Sequence, residues 1–129
     1  MSYILDTNIV TYLLKKNEKI ILKLLDAKNA KKNIFISVMT YYEIKRGLLD
    51  VNATQKIAKF NKFCQNAIII SIDVNIAEKA SEIHANLKQQ GRMIQDADIL
   101  IAATAIIHNL TVVSNDSDFN RINDIIPFL

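Results

Sequence analysis

Short unbroken apolar runs alternate along the chain with longer stretches in which apolar residues recur every three or four positions. The first pattern suits strands covered on both faces, the second amphipathic helices. The opening run, Tyr3-Ile4-Leu5, passes directly into Asp6-Thr7-Asn8, residue types that suit a strand end and a helix N-cap. A helix is predicted over about 7–15, with Ile9, Val10, Leu13 and Leu14 on one stripe. Asn17 caps a second, about 18–28, that ends among Lys28, Lys31 and Lys32. A strand at 33–37 leads into a helix over about 38–49. Asn52 starts another over about 53–66, which turns Ile57, Phe60, Phe63 and Cys64 inward. The run 67–72 is apolar throughout and reads as an interior strand. Asp73 caps a long helix to about residue 90, and Gly91-Arg92-Met93-Ile94 breaks it. From Asp96, read as an N-cap, a helix that is apolar nearly all round runs towards His108. A strand at 110–114 ends in Asn115-Asp116-Ser117-Asp118, and 125–129 reads as an edge strand in which Pro127 is tolerated.

This alternation predicts an α/β fold in one domain, 1–129. A central parallel sheet of four to five strands lies between two helical layers, with every strand mouth on the same side. Ligands bind at that side in open α/β sheets. Three acid sites fall there: Asp6, Glu43, and Asp116 or Asp118. Each also has an ordinary reading. Asp6 caps a helix, Thr40-Tyr41-Tyr42-Glu43 matches a capping box, and a turn rich in Asn, Asp and Ser is common loop chemistry. Asp98 is harder to dismiss, because a carboxylate beside so apolar a helix must be paired or coordinated. Its helix leads into a strand, which on topology alone places Asp98 at the far end of the sheet. Only the loop at 91–95 could return it to the mouth.

The chain has 129 residues, half of them hydrophobic, which suffices for one core and not two. The apolar runs are too short or too interrupted to span a bilayer, and no basic segment precedes an apolar one at the start. Cys64 is alone, so no internal disulfide forms, and a cytoplasmic setting is expected. His84 and His108 sit in helical patterns and are given no role. The net charge of +3 is mild, but with four acids gathered in one cleft the remaining surface holds 16 basic against nine acidic side chains. Such a surface attracts a polyanion. A carboxylate cluster without His or Cys is a hard, all-oxygen site suited to Mg²⁺ or Mn²⁺. Its natural substrate is a phosphodiester, and the metal serves to generate a nucleophile from water. A phospho-receiver domain also gathers acids at strand ends, but here only Asp73 follows the third strand and no second acid adjoins Asp6. A module that binds RNA or protein without cutting it is the other alternative.

Taken together, Leu5-Asp6-Thr7-Asn8, Ile36 to Ile44 with Gly47 after it, Gly91 and Ile94 leading to Asp98-Ile99-Leu100-Ile101-Ala102-Ala103, and Val113 to Phe119 resemble the PIN-domain family, in particular the VapC toxins of type II toxin–antitoxin systems. The resemblance covers the whole chain. It implies a Mg²⁺-dependent endoribonuclease, with Mn²⁺ able to substitute. Asp6, Glu43 and Asp98 take the place of the first three acids, and Asp116 that of the fourth, with Asp118 as its near alternative. Asn8 and Ser114 are implied as groups that orient the acids, and Asp96 as a cap or outer group. The resemblance places the start of the Asp98 helix at the cleft. It further implies a homodimer and a VapB-like antitoxin whose tail covers the acids. Arg46, Arg92 and Arg121 are candidates for contacts to RNA phosphates.

Overall fold

A computed structural model describes residues 2–15, 19, 22, 26 and 33–122, and the backbone of 126–127. The helix expected over 18–28, with its lysines, lies largely outside these residues. In chain order the elements are β1 (Tyr3–Leu5), α1 (Thr7–Leu14), β2 (Ile34–Ser37), α2 (Val38–Asp50), α3 (Thr54–Gln65), β3 (Ile68–Ile70), α4 (Val74–Gln89), α5 (Asp96–His108), β4 (Thr111–Val113), a 3₁₀ turn (Ser117–Arg121) and β5 (Ile126–Pro127). The strands form one sheet in the order β3-β2-β1-β4-β5, and every neighbouring pair is parallel. β1 is therefore the centre. Its Ile4 is paired with Phe35 of β2 on one side and with Val112 of β4 on the other. Chain order runs outwards from β1 to β3 and then returns to β1's other flank with β4. The β1–β4 junction is thus the point where the strand order reverses, and a crevice opens there beyond the strand ends.

The pleat divides the core in two. Tyr3, Leu5, Ile34, Ile36 and Val113 point to one face, where they pack with Ile9, Val10 and Leu14 of α1, Ile44 of α2 and Phe60 of α3. Ile4 and Val112 point to the other, against Ile76, Ile83 and Leu87 of α4 and Ile99, Ile101 and Ala102 of α5. This is a three-layer α/β/α arrangement. α5 is buried nearly all round, as its composition predicts.

Three expectations are corrected. β3 is not interior but the sheet's edge, and its Ile68 and Ile69 are 48% and 38% exposed. An unbroken apolar run shows that a strand lacks a polar face, not how many neighbours it pairs with. Asp98 is not at the far end of the sheet on topological grounds. α5 feeds β4 through only Asn109 and Leu110, so it runs antiparallel to that strand and begins at the mouth. Asn109 makes the reversal with φ 54°, and Gly91 opens the preceding loop with φ 66°, a left-handed value that glycine adopts without strain. Asp96 is not the N-cap of α5. Gln95 holds that position without a side-chain bond, and Asp96 is the first helical residue, exposed. The strand expected at 125–129 is present as the short edge strand β5, with Pro127 beside Val112.

Candidate active site

Asp6 stands at the end of the most buried strand and is itself only 2% exposed. Both of its oxygens are held. Oδ1 accepts from the Ile9 amide at 2.8 Å, which makes Asp6 the N-cap of α1. Oδ2 accepts from the Ser114 hydroxyl, just past β4. Capping and site membership are therefore one arrangement: the cap bond aims the carboxylate. Each oxygen retains a second lone pair for a cation. Burial pushes the Asp6 carboxyl up from its usual range, the two hydrogen bonds oppose that rise, and Asp116 adds to it.

The loop after β4 is ordered by the same logic. Ser114 Oγ donates to Asp6 and accepts from the Asp116 amide at 2.9 Å. Asp116 in turn accepts from the Asp118 amide at 2.9 Å and so caps the 3₁₀ turn. Asp118 lies 3.5 Å from the Arg121 guanidinium, which also reaches the Met93 carbonyl at 3.5 Å.

Glu43 sits in the second turn of α2. The expected capping box is absent. Ser37 caps α2 by accepting from the Met39 amide at 3.0 Å, and Glu43 instead accepts from the Thr7 hydroxyl at 2.9 Å. Thr7 is 3.2 Å from Thr40, whose side chain is fully buried. The sequence pattern had no signal for this pair of threonines, because they come from different helices.

Asp98, in the first turn of α5, is the point of convergence. Burial first, and then the charges of Asp116, Asp6, Asp118 and Glu43, push its carboxyl up to about 6. One oxygen each from Asp98, Asp116 and Asp118 falls within a group whose members lie 4.8 Å or less apart. The donor set is all carboxylate, with no His or Cys, and its acids repel one another. Both facts fit a hard divalent ion.

Other expected residues lie apart from this convergence. Asn8 and Asp96 are exposed and make no hydrogen bond to the acids. Arg46 stacks over Tyr42, with its guanidinium carbon 5.0 Å from the ring centre, and Arg92 is exposed without an ion-pair partner among the described residues. Asp73 caps α4 through the Ile76 amide, as expected, and does not join the acids that converge on Asp98. Cys64 packs at the margin of the core, and burial raises its thiol.

An α/β/α sheet of this strand order with carboxylates converging at its reversal point defines a class, and the PIN domain model matches residues 3–125, so the chain belongs to that family. Within it, the similar curated proteins are VapC ribonucleases. "Ribonuclease VapC1" of Haemophilus influenzae is 30% identical over 127 residues, 97% of this chain and 95% of its own length. "Ribonuclease VapC2" of Rickettsia felis is 30% identical over 128 residues, covering 98% and 96%. Among solved structures, VapBC2 from Rickettsia felis bound to a DNA fragment from their promoter superimposes with a TM-score of 0.90, at 29% identity over 99% of this chain and 98% of that one. No helix among the described residues is long and apolar enough to cross a membrane.

Proposed function

We propose that this protein is a divalent-metal-dependent endoribonuclease and the toxin of a VapBC-type pair, built as one PIN unit over 1–129. The observation that carries the reading is the convergence of Asp6, Glu43, Asp116 and Asp118 on Asp98. Folding a protein around so many like charges is costly unless a cation neutralises them. Asp6, Asp98 and Asp116 are the residues to hold that ion, with Glu43 completing the site. Asp116 is preferred over Asp118 because it acts on both Asp6 and Asp98, whereas Asp118 shares its charge with Arg121. Mg²⁺ suits the all-oxygen set and Mn²⁺ can replace it. When bound, the ion supplies an activated water and neutralises phosphodiester charge.

The protein's own groups do the rest. Asp6 is fixed by Ile9 and Ser114, so its oxygens cannot turn away from the cleft. Glu43, half-exposed, is placed to orient a water or accept a proton. Ser114 acts on Asp6, while the outward side chains of Asn8 and Asp96 leave them at most an outer role. Arg92, exposed and without an ion-pair partner among the described residues, is the arginine preferred for a phosphate contact. Arg46 and Arg121 must first leave Tyr42 and Asp118. The partner expected is a VapB-like antitoxin, since the superimposed Rickettsia structure is a VapBC assembly. A cytoplasmic homodimer completes the reading.

The test is incubation of purified, partner-free protein with total cellular RNA, in Mg²⁺ and in EDTA, beside Asp98→Asn. Discrete fragments are expected only from the unmutated protein with Mg²⁺. Cleavage by a folded Asp98→Asn protein, or none by the unmutated protein with any divalent ion, overturns the proposal.

A further inference from the structure

We infer that Thr7 is a positioning residue for Glu43 and that Thr40 sets the direction of its hydroxyl, an inference that rests on the nuclease reading above. Thr7 Oγ1 lies 2.9 Å from Glu43 Oε1 and 3.2 Å from Thr40 Oγ1. An ionised carboxylate only accepts, and a threonine hydroxyl has one proton. Thr7 must therefore give its proton to Glu43, which leaves Thr40 to donate into the Thr7 oxygen. The three groups form a directed relay, Thr40 to Thr7 to Glu43.

Two features separate this relay from incidental surface bonding. Thr40 is 0% exposed, and among the described residues its hydroxyl has no partner but Thr7. An isosteric valine would fill the same space, so packing alone does not account for a hydroxyl there. Glu43 is also a long side chain on a helix, with rotamer freedom to lose when it is held. Fixing Oε1 spends that freedom before any ligand arrives, and Oε2 has no hydrogen-bond partner among the described residues. Because Thr7 adjoins Asp6 in the chain, the same relay, whose Thr7–Glu43 bond spans 36 positions, ties the α2 acid to the acid that follows β1.

The experiment compares Thr7→Val, Thr7→Ser and Thr40→Val with the unmutated full chain, freed of partner. Three quantities are read: the urea midpoint, Mn²⁺ affinity by titration, and kcat and KM for RNA. Thr7→Val is expected to fold with a nearly unchanged midpoint, to bind Mn²⁺ about 10–100-fold more weakly, and to lose kcat with little change in KM. Thr7→Ser keeps the hydroxyl and should recover both properties, and Thr40→Val should fall between. Equal Mn²⁺ affinity and kcat in Thr7→Val and the unmutated chain overturn the relay, as does a Thr7→Ser protein as impaired as Thr7→Val. In those cases the unmutated chain still binds and cuts, and the nuclease reading stands. If the unmutated chain does neither, both readings fall together.

Discussion

Asp98 carries the most informative charge in the molecule. Its carboxyl titrates at about 6 in the folded chain against an ordinary 3.8. Between those values the unfolded chain has released a proton that the native chain retains. The native state then binds more protons, so stability falls as pH rises from about 4 to 6 and levels off above that. Asp6 shifts in the same direction and adds to the fall. The expected outcome, read by urea unfolding of metal-free protein at several pH values, is a declining midpoint across that window. Asp98→Asn should remove much of the decline and be more stable than the unmutated protein at pH 7. Equal slopes in the two proteins would refute the assigned repulsion. Asp6 and Asp98 were legible as candidates because an acid at the end of a strand covered on both faces, or beside a wholly apolar helix, contradicts its surroundings. Thr7 and Thr40 were not, because a hydroxyl that orients a carboxylate looks the same in sequence as one that caps a helix.

The elements were legible wherever one period dominated. β1, β2, α4 and α5 fall within a residue or two of their expected bounds, because burial on both faces of a strand or one face of a helix writes itself into the pattern. What the pattern omits is neighbourhood. β3 and β1 are equally apolar, yet β1 is fully enclosed and β3 lies at the edge. Substitutions should separate the two conditions. Ile36→Ala, at a fully buried position of β2, is expected to cost about 2–5 kcal/mol, and Phe60→Ala on α3 about 3–5 kcal/mol. Ile68→Lys on the exposed part of β3 should stay within about 0.5 kcal/mol. Denaturant midpoints at constant slope check all three, and a large loss at Ile68 would mean that β3 is covered after all. The capping box failed for a similar reason. Four residues in the right order mimic it, but α2 had already found its cap one turn earlier, in Ser37.

At the scale of the whole molecule, repulsion inside the cleft makes the native state a receptor for cations. Since an unfolded chain cannot gather these acids, a divalent ion should stabilise only the folded form, by about 2.7 kcal/mol at 100 times its dissociation constant. A rise in melting temperature with Mg²⁺ that EDTA reverses is the expected result, and Asp98→Asn should abolish it. A rise that persists in the variant would place the ion elsewhere. The strand order adds a consequence of a different kind. Asp6 lies just past the first strand, yet the serine that fixes it is 108 positions later, just past β4, the strand on β1's other flank. Asp6 is therefore held in its final geometry only after residue 114 has been made and brought to the mouth of the sheet.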